Sequence, residues 1–236
     1  MTANPKLRAL IVQHEQPTPP GRIRDWLEEQ QAEIDVLRID EEQRAPDPRD
    51  YQLVVSLGSE FAAFDDSIPF IPRETKLMLA AQEADVPVLG VCFGGQLLAR
   101  VLGGKSLRAE RAEIGWLPVR TSAPELVPEG PWFQWHFDTF TLPPGAKLIA
   151  ESDAGPAAYV IGRSLGLQFH PEVTPEIMES WVRSYRHELD GEGVDPDALL
   201  EETRRRAPES RKTTERLLNR YLDGIARLSS ETAGGR

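Results

Sequence analysis

Residues 86–96 read Val86-Pro87-Val88-Leu89-Gly90-Val91-Cys92-Phe93-Gly94-Gly95-Gln96, and LLARVLGG follows. An apolar run of strand length ends at Val91, and an apolar-periodic helix begins within two or three residues. Gly90, Gly94 and Gly95 bracket the turn. Upstream, the same strand–helix rhythm recurs. Leu7–Val12, Ile34–Ile39 and Leu53–Leu57 are short apolar runs of strand character. Between them, Ile23–Ala32 places Ile23, Trp26 and Leu27 at helical spacing, and Thr75–Ala84 reads as a further helix. Apolar strands alternating with helices imply a parallel sheet covered on both faces. The fold class is α/β.

Beyond Gly104 the pattern changes. Ile114–Arg120, Leu148–Ala150, Ala157–Ile161 and Leu165–Phe169 read as short strands between turns, the last two forming a hairpin around Gly162-Arg163-Ser164. Trp135-His136-Phe137-Asp138 reads as a polar-aromatic turn before TLPPG. Thr174–Leu189 reads as one helix, with Thr174 as N-cap and Pro175 at its first position. After the turn-rich GEGVDPD, a last helical region covers Asp197–Leu228, and the terminal SSETAGGR is expected to fray. This divides the chain into a domain over residues 1–190 and a C-terminal helical extension over 191–236.

The 236 residues include 38 acidic and 27 basic side chains, a formal net charge of −11, and an apolar share of 40%. That share is ordinary for a soluble globular protein. The negative field argues against a general nucleic-acid or anionic-membrane binder. Charge is uneven, because residues 201–236 hold 9 basic and 6 acidic groups. The run Arg204-Arg205-Arg206 with Arg211-Lys212 suits either a docking face for an acidic partner or the solvated side of a surface helix. The single cysteine, Cys92, rules out an intramolecular disulfide and a multi-cysteine zinc site. No signal peptide is seen at the start, and no run reaches 18 apolar residues. A cytoplasmic enzyme or binding protein with one free thiol is the expectation.

The setting of that thiol matters. A side chain on a tight strand-to-helix turn, flanked by glycines that let neighbouring backbone come close, has the geometry of a nucleophile elbow. The helix N-terminus favours a thiolate, and its free N–H groups can hold an oxyanion. Packing is the competing reading, since free cysteine is among the most buried residue types. A thiolate nucleophile needs a base, and the base needs an orienting group. Of the four histidines, His14 and His187 read as structural or solvated, and His136 lies in the aromatic turn. His170 ends an apolar strand and is followed by Pro171-Glu172. Parallel strands bring their C-terminal ends to one edge, where Cys92 and His170 can converge, with Glu172 turning back onto the imidazole.

The elbow GVCFGGQ, the strand end LQFHPEV and the intervening WHFDTF together resemble the class I, triad-type glutamine amidotransferases, a family that includes the amidotransferase domain of GMP synthase. The resemblance covers residues 7–185. It implies a flavodoxin-like, three-layer α/β fold on a parallel or mixed sheet. Cys92 is then the nucleophile, His170 the general base and acid, and Glu172 its orienting carboxylate. Gly58 and Phe93 supply oxyanion N–H groups, and Gln96, Trp135 and His136 border the substrate. Two departures stand out. Leu57 and Ser59 flank Gly58 where the family has a second glycine and a proline, and Trp135-His136-Phe137-Asp138 replaces a common Ser-His-Gly-Asp. The implied chemistry is hydrolysis of the γ-amide of glutamine or of a γ-glutamyl amide, with no metal or organic cofactor signalled. A separate synthase partner that receives ammonia, a γ-glutamyl peptidase and a non-catalytic relative are the alternatives.

Overall fold

The structure, a computed structural model, describes residues 6–42 and 44–228, so the terminal SSETAGGR lies outside the described residues. The strands are β1 (Arg8–Gln13), β2 (Glu33–Arg38), β3 (Leu53–Ser56), β4 (Val88–Val91), β5 (Lys105–Leu117), β6 (Arg120–Thr121), β7 (Trp132–Thr141), β8 (Lys147–Glu151), β9 (Pro156–Ile161) and β10 (Ser164–Leu167). The α-helices are α1 (Gly21–Glu29), α2 (Ile71–Glu83), α3 (Phe93–Val101), α4 (Pro175–Ser184), α5 (Arg186–Glu192) and α6 (Pro196–Arg220). An eight-stranded sheet runs β2-β1-β3-β4-β10-β9-β8-β6, and β5 pairs with β7 in a separate ribbon. The pairs from β2 through to β10 are parallel and the remainder antiparallel. The parallel half is the sheet that the strand–helix rhythm implied, and the whole is the flavodoxin-like mixed sheet that the family resemblance implied.

Alternation along each strand sorts the core into two layers. Ala9 and Ile11 of β1 pack with Ile23, Trp26 and Leu27 of α1 and with Leu217 and Leu218 of α6. Leu10 and Val12 face the other way, onto Leu77, Met78 and Ala81 of α2 and Leu97 and Leu98 of α3. Strands buried on both faces carry no polar alternation, which is why β1, β3 and β4 read as continuous apolar runs.

Two elements differ from the sequence reading. Trp135–Asp138 is not a turn. It lies inside β7, paired antiparallel with β5 so that Glu113 faces His136 and Ile114 faces Trp135. The partner stretch KSLRAERAE is too charged to announce a strand by itself, and its pairing partner is some 30 positions distant. The expected single helix over Thr174–Leu189 is two helices that break at Tyr185 (φ −116°, ψ 27°). Its start is as expected, with the Thr174 hydroxyl accepting from Ile177 N at 3.3 Å and Pro175 in the first turn.

The C-terminal segment packs onto the sheet. Trp26 Nε1 donates to Asn219 Oδ1 at 2.8 Å, and Arg163 donates to the Ala226 carbonyl from Nε at 2.9 Å. The basic run is met within the chain: Arg204 pairs with Glu179, Arg206 with Glu202, and Arg211 with Glu29 and Glu215. No helix among the described residues is long and apolar enough to cross a membrane. Leu218 is fully buried, so Leu218→Ala is expected to cost about 2–5 kcal/mol by creating a cavity. Equilibrium denaturant unfolding checks this, and a midpoint equal to wild type would mean that α6 contributes nothing to the cooperative unit.

Candidate active site

Strand β4 ends at Val91, and α3 begins two residues later at Phe93. Cys92 between them has φ 50° and ψ −108°. A non-glycine residue at positive φ carries strain of about 1–3 kcal/mol, which the surrounding packing must hold. Two ties do so: Cys92 N donates to Leu167 O at 2.8 Å, and Gly94 N donates to Leu57 O at 3.1 Å. Only glycine fits at position 94, where a Cβ would stand 2.3 Å from the Ser56 carbonyl oxygen. The Phe93 N–H is among the first of α3, which have no partner within their own helix and sit at its positive end.

Strand β10 lies beside β4 in parallel register, with Leu167 opposite Val91. The chain beyond each strand therefore leaves on the same edge of the sheet, and this brings His170 to Cys92. A Cβ on Gly58 would lie 2.9 Å from His170 Cε1 and 3.8 Å from Cys92 Cβ, so this glycine is wedged against both. His170 Nδ1 donates to Glu172 Oε1 at 2.7 Å. Its other nitrogen, Nε2, is buried and has no hydrogen-bond partner. Burial alone would push the imidazole pKa down, but the Glu172 carboxylate and the neighbouring Cys92 outweigh it and raise the value to about 10.

Behind Gly58 stands a second histidine–carboxylate pair. His14 and Glu74 are both fully buried, with His14 Nε2 2.7 Å from Glu74 Oε2 and Nδ1 3.1 Å from the Gly58 carbonyl oxygen. Ser56 Oγ donates to the remaining Glu74 oxygen at 2.6 Å. Both ring nitrogens face acceptors, a setting that favours the doubly protonated, positively charged ring. Burial disfavours that charge, yet Glu74 more than compensates and the His14 pKa is raised.

The expected substrate-facing residues gather in one open pocket, with about 630 Å³ of unfilled space including its mouth. Cys92, His170, Gly58, Phe93, Gln96, Trp135 and His136 all line it, whereas Glu172 stands behind His170. Gln96 spends its amide N–H groups on the protein, donating to Asp138 O at 3.1 Å and to Gln168 Oε1 at 3.2 Å. Gln168 in turn donates to Cys92 Sγ at 3.6 Å, so Gln96 steadies the amide that faces the sulfur. His136 is pinned between Asp138 O at 3.0 Å and Glu113 Oε2 at 3.1 Å. Trp135 donates from Nε1 to Glu188 Oε2 at 2.6 Å, and Phe137 lies under the Arg108 guanidinium at 4.9 Å. Among the described residues no cluster of three or more histidine, cysteine or acidic side chains could hold a metal.

The sequence profile of the family described as "Glutamine amidotransferase class-I" matches residues 22–183. The chain belongs to that family. A GMP synthase [glutamine-hydrolyzing] of Thermus thermophilus is 35% identical over 195 residues, covering 74% of this chain and 35% of its own length. The chain thus spans about a third of the length of this curated relative. Among solved structures, a glutamine amidotransferase from Thermotoga maritima superposes with a TM-score of 0.83 at 32% identity, over 94% of this chain and 100% of the other. One from Methylobacillus flagellatus gives 0.85 at 29% identity, over 96% and 98%.

Several residues in the pocket or behind it have no signal in the sequence. His14 and Glu74 are sixty positions apart, and Tyr185 and Glu188 reach the pocket because the helix breaks. Truncating one partner of a buried ion pair strands the other charge, so Glu74→Gln is expected to lower stability by about 3–5 kcal/mol. Because the folded-state pKa of His14 is raised, the pair's contribution is full below the ordinary imidazole range and is lost as pH rises through the folded value. Thermal midpoints measured across neutral to alkaline pH should therefore fall more steeply in wild type than in Glu74→Gln. Parallel curves would refute the charged pair.

Proposed function

We propose that this chain hydrolyses the γ-amide of glutamine or of a γ-glutamyl amide through a covalent thioester on Cys92. The observation that carries the reading is the arrangement at one sheet edge. A cysteine on a strained elbow lies beside a histidine whose Nε2 has no partner and whose Nδ1 is held by a carboxylate. That arrangement meets the requirements of an activated nucleophile, a proton carrier and an orienting group.

The Cys92 thiolate attacks the γ-carbonyl carbon, and the electron pair moves onto oxygen. N–H groups of Gly58 and Phe93 receive that oxyanion at the positive end of α3. The His170 imidazolium gives its Nε2 proton to the departing nitrogen as the C–N bond breaks, leaving a γ-glutamyl thioester and free ammonia or amine. Neutral His170 then takes a proton from water, which adds to the thioester and releases glutamate and the thiolate. Glu172 holds the ring and balances its charge throughout.

A second reading is supported by the curated relatives, which carry glutamine hydrolysis within a synthase about twice as long. In that reading the ammonia passes to a separate synthase partner, and glutamine turnover rises when the partner is added.

Glutamate release from glutamine and γ-glutamyl amides tests the chemistry. Cys92→Ser and His170→Ala are each expected to lose about 10³-fold or more in kcat/KM, the scale of a lost nucleophile or acid–base group. Since His170 donates only while protonated, kcat/KM should fall as pH rises through about 10. Glu172→Gln removes the main raising charge, so that alkaline limb should move to lower pH. Full activity in Cys92→Ser, or an unmoved limb in Glu172→Gln, would contradict the assignment.

A further inference from the structure

We propose that the pocket is built for a γ-glutamyl amide whose leaving amine carries a second positive charge, such as the monoamide of an alkyl diamine. This rests on the hydrolytic reading above and goes beyond it by naming the leaving group.

The charges on the pocket wall divide the substrate's two ends. An α-amino-acid end carries both signs and needs both in return. Arg108, 3.3 Å from Asp138, supplies such a mixed pair, and it is the one arginine or lysine lining the pocket among the described residues. The leaving nitrogen, by contrast, must lie where His170 can protonate it. On that side Trp181 meets the His170 ring edge-on at 4.9 Å, Trp135 packs on Trp181 at 5.9 Å, and Tyr185 packs on Trp135 at 6.2 Å.

This aromatic wall is edged with negative charge. Glu188 is held by the Trp135 indole, and Glu60 lines the pocket from the loop after β3. Glu15 lies close by through Ser59, whose hydroxyl donates to it. None of the three carboxylates forms an ion pair with an arginine or lysine among the described residues, and the one arginine lining the pocket, Arg108, is already paired with Asp138. A second, independent feature points to a ligand. The Tyr185 hydroxyl is buried without a hydrogen-bond partner, in a residue only 9% exposed that lines the same pocket. Burial, and then the charges of Glu15, Glu60 and Glu188, push this phenol up, so it remains neutral with lone pairs to offer.

An alkylammonium suits this wall: its three N–H donors match the phenol oxygen and the two lining carboxylates, Glu60 and Glu188, and its charge suits the electron-rich ring faces. A leaving group that carries a carboxylate, such as an amino acid or peptide, meets like charge. Ammonia leaves the wall unfilled. The departure at position 135 is part of this design, because the indole that replaces a small residue is what holds Glu188.

The test compares glutamate release from three amides of similar length: γ-glutamyl-1,4-diaminobutane, its neutral isostere γ-glutamyl-n-pentylamide, and γ-glutamyl-4-aminobutyrate. The expected order of kcat/KM is cation, neutral, anion, with at least tenfold between the first two. Glu188→Gln and the conservative Tyr185→Phe, each shown to retain the wild-type thermal midpoint, should bring that ratio to within about twofold. In parallel, calorimetry should show saturable binding of 1,4-diaminobutane to the Cys92→Ser protein and none once Glu188→Gln is added. Glutamate release without charge preference, together with no diamine binding, would overturn the inference and leave the hydrolytic reading standing; the carboxylates would then serve the substrate's own α-ammonium. Diamine binding with no amide hydrolysed would do the reverse.

Discussion

The register between β4 and β10 is the constraint on which the site depends. With Leu167 opposite Val91 in a parallel pair, the sheet delivers an elbow cysteine and a strand-end histidine to the same edge, though 78 positions separate them. Shifting either strand by one residue would turn its side chains to the opposite face. Hydrogen bonding secures the register at the point of use, because Cys92 N donates to Leu167 O. The apolar strands and the helices on both faces stabilise that one alignment, and the strained elbow draws on it.

Charge is the second organising element. A net charge of −11 says little by its sign alone, but its placement is informative. Three buried histidines each face a carboxylate: His14 with Glu74, His136 with Glu113 and His170 with Glu172. The first holds the Gly58 carbonyl, the second fixes a pocket wall, and the third leaves one nitrogen free for chemistry. Buried pairs of this kind contribute more to geometry than to net stability, since desolvation offsets much of their attraction. Glu60 and Glu188, which have no arginine or lysine partner among the described residues, line the pocket, and Glu15 stands behind Ser59.

Much of the framework was legible before any coordinates. The central residues of β1, β3 and β4 are buried on both faces and apolar, so local composition alone marks them. The elbow was visible because its glycines are demanded by backbone contacts within a few ångströms. What stayed hidden depends on partners distant in sequence. The ribbon of β5 and β7 exists through pairing, not through any pattern within Lys105–Glu113, and so Trp135–Asp138 passed for a turn. The break at Tyr185 was masked because Leu189 keeps the apolar spacing of α4 while the backbone between them changes direction. His14 and Glu74 meet across two layers of the fold, and neither position announces the other.

The central claim is that Cys92 carries the glutamyl group. Rapid quenching of the protein during turnover of glutamine or a γ-glutamyl amide, followed by mass analysis of its peptides, tests it most directly. A glutamyl adduct confined to the peptide containing Cys92, which disappears as substrate is exhausted, is the result this account predicts. Steady glutamate release with no such adduct, or with the acyl group on another residue, would contradict it.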